Sequence, residues 1–231
     1  TPVREAIRQL ELEGLVTELF GSWKSASAYE RIPTRLKVVP GQSKVLETPD
    51  KQMAIFVAME RWAMKDTDPG YPAFLMANQI LGGGTLKNRL GDRLRQKEGF
   101  SYGAGSNFNS SSQDPVASWQ AYAIYAPQNA TKLEAAFQEE LQKALKDGFT
   151  QEELDFARKT WLQGEQTQRQ DDRAIAGWLA DYLYLGRPVL FEAELEAKVQ
   201  ALKLDEVNAA LRQHLDPAKL VIVKAGDFAK K

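Results

Sequence analysis

The chain contains one histidine, His214, and no cysteine. That inventory decides most of the chemistry open to it. A zinc peptidase motif of the His-x-x-Glu-His or His-Glu-x-x-His kind needs two imidazoles on one helix face, so this chain cannot form one. A Cys–His nucleophile pair is excluded, and a Ser–His–Asp triad would have to use His214. That residue closes the helical stretch "NAALRQH", where a histidine beside the last backbone carbonyls is a structural choice. Adjacent acids stand at Glu139/Glu140, Glu152/Glu153 and Asp171/Asp172. Neighbours on a helix point about 100° apart, a poor geometry for sharing a proton, and solvated acids are ordinary there. The run Gly82, Gly83 and Gly84 precedes a helical stretch, as an anion-cradling loop does. It lacks the Gly-Lys-Ser/Thr ending and the preceding strand of a P-loop, so it reads as a helix end, a reversal and a close approach of backbones.

The elements that must position these residues follow from periodicity. The opening segment spaces Val3, Ile7, Leu10, Leu15 and Phe20 as a helix ending near Gly21. Residues 21–44 carry the small-residue and proline signals of a surface connection. In "QMAIFVAMERW", Met53, Ile55, Val57 and Met59 alternate, which predicts a strand buried mostly on one face. A turn at "DTDPGYP" leads to the helix "AFLMANQIL", with Asp68 or Tyr71 as its cap. After the glycines comes the helix "TLKNRLGDRLRQKE", for which Thr85 is the expected N-cap. "FSYGAGSNFNSSSQDPVASWQAYAIYAP" reads as an antiparallel hairpin with a polar tip at residues 109–115. Leu133, Phe137, Leu141 and Leu145 mark an amphipathic helix ending at Gly148. Thr150 and Glu153 have the spacing of a capping box. Further helical pattern runs to Leu185 with a polar break at "QTQRQDDR", then over 190–201 and 204–214, before a final strand "KLVIVKAG". Strands in hairpins followed by a helix-rich second half indicate an α+β domain.

Bulk composition narrows the function classes. The 231 residues are 43% hydrophobic, with Lys+Arg 30 against Asp+Glu 31. At roughly 100–200 residues per domain, one large domain or two small ones are permitted. A formal charge of -1 provides no global basic field for nucleic acid. No apolar run reaches the roughly 20 residues needed to span a bilayer. The chain opens inside a helical pattern without an initiator methionine, which reads as a fragment of a longer polypeptide.

Several stretches, taken in order, carry a resemblance: "ELFGSWKS", "TPDKQMAIFVA", "ANQILGGGTLKNRLGDRLRQKEGFSYGAGS", "TQEELDFARKTWLQG" and "VIVKAGDF". Together they resemble the C-terminal, non-zinc-binding domain type of the pitrilysin/insulinase family of inverted-motif zinc peptidases, which includes mitochondrial processing peptidase. The most specific part is the ordered Asn, Leu-Gly-Gly, Arg-Leu, Leu-Arg and Gly-x-x-Tyr between residues 78 and 102. The similarity runs from about residue 8 to 228.

The resemblance implies a single C-terminal-type domain over 1–231, truncated at its N-terminus. Its fold would be α+β, a mixed and largely antiparallel sheet covered by helices on one side, as in the LuxS and mitochondrial-processing-peptidase metallohydrolases. It implies a zinc ion in the parent enzyme, bound by a different domain, and none here. It implies a zinc-bearing N-terminal domain or partner subunit, a peptide substrate, and room for a dimer. Two halves would close around a chamber, with Arg95 and Tyr102 of this half reaching the substrate near the metal. A tyrosine hydroxyl can donate to a carbonyl oxygen as charge develops on it. An arginine offers fixed charge and several donors to peptide carbonyls or a terminal carboxylate. The glycine loop would aim the second helix into the chamber. In some relatives such a loop also contacts substrate. Other relatives have lost activity and act as scaffolds, so an inactive assembly domain is the alternative. The ending "VKAGDFAKK" is similar to the C-terminus of bacterial members, many of them periplasmic in Gram-negative cells.

Overall fold

Strand β2 (Ala54–Trp62) shows how the sequence builds the sheet. Ala54, Phe56, Ala58 and Glu60 are buried, whereas Ile55 is 43% exposed and Val57 and Met59 are half-buried. The strand is covered on one face as its alternation predicts, but the covered set is the opposite one. Alanines at 54 and 58 leave space for the helices to approach, so the helix side uses small residues around Phe56. The larger aliphatic set faces away from them. In this computed structural model the described residues are 2–84 and 87–229, with side chains from Arg8 onward.

The chain divides into two units, residues 1–33 and 34–231. The first holds α1 (Pro2–Phe20) and the coil after it, with Leu12, Leu19 and Trp23 exposed. The second is built on a five-stranded sheet of order β1-β5-β2-β4-β3. Beside β2 these strands are β1 (Gln42–Glu47), β3 (Ser101–Ser110), β4 (Ala117–Tyr125) and β5 (Val221–Gly226). β1 pairs in parallel with β5, and every other neighbouring pair is antiparallel. This is the mixed, largely antiparallel sheet of an α+β fold.

Helices cover one face: α2 (Tyr71–Asn78), α3 (Arg89–Gly91), α4 (Ala130–Asp147), α5 (Gln151–Gln168), α7 (Phe191–Ala201) and α8 (Leu204–His214). α6 (Asp172–Leu185) lies further out and buries only Tyr182. The core packs Phe56 on Phe137, ring centroids 4.9 Å apart, with Trp119, Tyr125, Phe74, Leu133 and Leu141 around them. Fully burying each such side chain contributes about 1.5–3 kcal/mol.

The local signals behave as their chemistry requires. Leu133, Phe137 and Leu141 form the buried stripe of α4, which ends at Gly148 with φ of 77°. Thr150 accepts from Glu153 N while Glu153 accepts from Thr150 N, completing the capping box of α5. One expectation is corrected. Asp68 does not cap α2: its carboxylate accepts from Lys65 N at 2.9 Å inside the turn, and Gly70 is the N-cap. Tyr71 is the first residue of the helix. Thr85 lies outside the described residues, and the cap of α3 is Asn88, whose Oδ1 accepts from Gly91 N at 2.7 Å.

Candidate functional site

The segment from Asn78 to Tyr102 contains two π-helical turns. α2 continues as a π turn over Gln79–Gly83, and α3 continues as another over Asp92–Lys97. Such turns are rare and are often found at functional positions. Gly82 and Gly83 sit in the first turn for space, Gly84 follows it in extended conformation, and none of the three adopts a positive φ. A Cβ on Gly82 would lie 2.5 Å from Ser106 Oγ, and one on Gly83 would lie 2.4 Å from Asn78 Nδ2. Across the strand, a Cβ on Gly105 would meet Gly82 O at 2.9 Å. Backbones therefore pass in contact here, the close approach expected from the sequence. The reversal is made by the turn itself rather than by a left-handed helix cap.

A buried polar knot fixes that crossing. Asn78 Oδ1 accepts from Ser106 Oγ at 2.7 Å and from Trp119 Nε1 at 3.1 Å, and all three residues are buried. The knot joins α2 to β3 and β4, which sets the height of the π turn over the sheet.

Three arginines follow, and they fare differently. Arg89 Nε and Nη2 donate to the two carboxylate oxygens of Glu153 at 2.7 and 2.8 Å, and Nη2 also donates to Gly148 O at 2.9 Å. Its guanidinium lies 4.9 Å from the centre of the Phe149 ring. Arg93 pairs with Glu98 and with Glu139. Arg95 is exposed in the second π turn and, among the described residues, forms no ion pair or side-chain hydrogen bond. Gly99, with φ of 63°, then turns the chain into β3, the edge strand.

Tyr102 stands at a bulge at the start of that edge. The register passes from Ser101 opposite Tyr125 to Gly103 opposite Ile124, leaving Tyr102 without a cross-strand partner. Ser101 Oγ holds the bulge, donating toward Ile124 O at 2.9 Å and accepting from Gly103 N at 3.1 Å. Bulges re-aim side chains and are common beside active sites. Tyr102 is 66% exposed. Arg95 and Tyr102 thus lie at successive ends of one short connection, each open to solvent, with no hydrogen bond between their side chains among the described residues.

The remaining candidates have structural partners. His214 stacks on Trp62, centroids 5.4 Å apart and planes 17° apart, with Phe74 edge-on at 5.8 Å. Burial lowers its pKa below the usual histidine value. It sits half-buried among aromatic rings at the edge of the core, and its side chain forms no capping hydrogen bond among the described residues. Glu139, Glu140, Glu152 and Glu153 face Arg93, Arg89, Lys87 and Arg89 respectively, and Asp171 caps α6 by accepting from Arg173 N at 2.8 Å. Among the described residues no group of three or more His, Asp or Glu side chains is placed to hold a metal ion. The donors among these residues are not arranged to hold zinc. No helix of the described residues is long and apolar enough to cross a membrane.

Sequence reasoning missed the Asn78 knot, the Arg89–Glu153 pair and the bulge. The serine and two glycines of "SYGAG" were the available signal for the last. Comparison with known proteins completes the picture. Residues 7–160 match the model of the peptidase M16 inactive domain. The chain belongs to that family.

M16 inactive domains explain the pattern of likeness. The chain is 26% identical over 221 residues to the "Non-peptidase homolog YmxG" of Helicobacter pylori, covering 89% of this chain and 50% of that protein. It matches the solved M16 inactive domain of Pseudomonas fluorescens at 25% identity and a TM-score of 0.77, covering 94% of this chain and 51% of that one. The periplasmic protease PqqL of Escherichia coli shares the fold, at 19% identity and a TM-score of 0.68, with 94% of this chain and 24% of that one covered. The chain spans about half the length of the curated relative it matches.

Proposed function

We propose that this M16 inactive domain is the peptide-holding half of a zinc metallopeptidase, whose metal is bound by another domain or subunit. In this reading Arg95 and Tyr102 are its contribution to the joint site. The observation that carries it is selective freedom. On one short segment Arg89 and Arg93 are consumed by ion pairs, while Arg95 is left exposed and unpaired among the described residues. A few residues on, a serine-held bulge presents Tyr102 to solvent. A structural tyrosine at the start of an edge strand needs no such device. The Tyr102 hydroxyl would donate to the scissile carbonyl oxygen as charge builds there, and the Arg95 guanidinium would hold neighbouring peptide carbonyls or a terminal carboxylate. The likeness to a periplasmic protease supports the periplasm as the site of action.

The test is reconstitution of this chain with a zinc-bearing M16 half and an assay of peptide cleavage. Loss of one transition-state donor costs about 2.7–4 kcal/mol, so Tyr102→Phe should lower kcat/KM roughly 100- to 1,000-fold. Arg95→Ala should act mainly on KM. Unchanged rates for both variants would refute the roles. The second reading, an assembly domain without peptidase work, draws on the name of the Helicobacter pylori relative. It also draws on Leu183, Val189 and Leu190, which lie 86%, 71% and 65% exposed at and just beyond the end of α6. Reconstitution that yields a stable complex but no cleavage would favour it.

A further inference from the structure

The face of the sheet turned away from the helices is apolar at its centre. Val57 stands opposite Val223 and Tyr122, Met59 opposite Val221 and Gln120, and Ile55 opposite Ala225 and Ile124. Beside β5 and β2 this face deepens into a cleft of about 380 Å³, walled by the coil at Lys37, Val38 and Val39. That volume is within the range of small-molecule and side-chain sites, and apolar walls with few polar groups are their usual character.

Its rim is basic. Lys37, Arg61 and Lys219 line it, and Lys44 stands next to it on the same face, opposite Val223. Among the described residues Lys37, Lys44 and Arg61 have no ion pair, and the Lys219–Asp216 pair is 3.6 Å long and largely exposed. Exposed pairs of this kind are worth about 0–1 kcal/mol, so Lys219 is available too. The acid lining the cleft, Glu60, is already engaged, its Oε2 accepting from Asp216 N at 2.8 Å. In a chain of net charge -1, this is a local excess of cations over an apolar floor.

The wall adds a second preference. Lys37, Val38 and Val39 make no backbone hydrogen bond among the described residues. Their N–H and C=O groups can pair with an extended chain, which an acyl tail cannot do. We infer that this cleft docks an extended peptide segment carrying apolar side chains and a carboxylate. The inference rests on the reading of this half as peptide-holding and names the class of peptide it holds. The carboxylate could be a side chain or a C-terminus, since the same cations serve both.

Fluorescence anisotropy with the 231-residue chain and short labelled peptides tests this. One peptide alternates leucine and glutamate, and its counterparts replace glutamate by glutamine or lysine. Each is made with a free and an amidated C-terminus. The glutamate peptide should bind at least about tenfold more tightly than the lysine peptide, a gap of about 1.4 kcal/mol. High salt should narrow that gap. Lys37→Glu combined with Arg61→Glu should invert the order. Val38→Asn, at a site 64% exposed, should weaken every peptide without unfolding the chain, as circular dichroism would verify. Retention by the free but not the amidated glutamine peptide would identify the C-terminus as the carboxylate source. Affinities indifferent to charge or to these variants would overturn the cleft while leaving the Arg95 and Tyr102 roles, which are read by cleavage, untouched. Binding of decanoate with exclusion of every peptide would overturn the peptide occupant.

Discussion

Replacing Arg89 by alanine should destabilise the fold, whereas the same change at Arg95 should not. Arg89 makes two hydrogen bonds to Glu153 at 2.7 and 2.8 Å and one to Gly148 O at 2.9 Å, with side-chain exposures of 14% for the arginine and 26% for the glutamate. Stranding the partly buried Glu153 forfeits charged hydrogen bonds worth about 1.5–3 kcal/mol, and loss of the Phe149 contact adds about 0.5–2 kcal/mol. The Thr150 cap still holds Glu153, so the sum should be about 3 kcal/mol, at the lower edge of what breaking a buried ion pair costs. For a unit of this size that is a fall in Tm of roughly 6–12 °C. Acid should narrow the difference. Burial alone would raise the Glu153 pKa, but the Arg89 and Thr150 hydrogen bonds outweigh it and hold it below the usual 4.5. The stabilisation is therefore present above the unfolded value and is lost as pH falls through the folded one. Urea unfolding at neutral pH and at pH 4 reads both effects. A loss below about 1 kcal/mol for Arg89→Ala would refute the ledger, since surface changes stay within about 0.5 kcal/mol. So would an identical loss at both pH values, or a loss for Arg95→Ala as large as that for Arg89→Ala.

Two further predictions follow from the same packing. Gly82→Ala and Gly83→Ala should each cost about 1–3 kcal/mol by overpacking, because their Cβ atoms would lie 2.5 and 2.4 Å from Ser106 Oγ and Asn78 Nδ2; thermal unfolding measures this, and a change below 0.5 kcal/mol would show that the crossing can give. His214, whose pKa burial lowers, is neutral in the folded chain where the unfolded chain already binds a proton. Stability should therefore fall as pH drops through 6.5 and level off below the folded value, and a pH series of urea midpoints for His214→Phe should lack that step.

What was legible in the sequence was local. Thr150 and Glu153 declare their cap within one turn, and the spacing of Leu133, Phe137 and Leu141 declares a buried stripe, because each signal depends on a few neighbouring residues. The parity of β2 was not legible. Met53, Ile55, Val57 and Met59 are the more hydrophobic set, but the helix-facing side is chosen by volume, and Ala54 and Ala58 admit the helices where larger residues would not. The knot of Asn78 with Ser106 and Trp119, and the pairing of Arg89 with Glu153, join residues far apart in the chain. No periodicity can announce them. Arg95 and Tyr102 were singled out by family resemblance alone, and the difference among the three arginines emerges only when their partners are in place.

The sheet order has a consequence for how the polypeptide must be made. β1 touches only β5, and its first residue, Gln42, waits for Val221. At roughly 5–20 residues per second the ribosome needs on the order of ten seconds or more to deliver that mate. Until then β1 and the β5-facing edge of β2 are bare and open to pairing with other chains. A chain cut just before β5 would leave β1 with no strand to pair with.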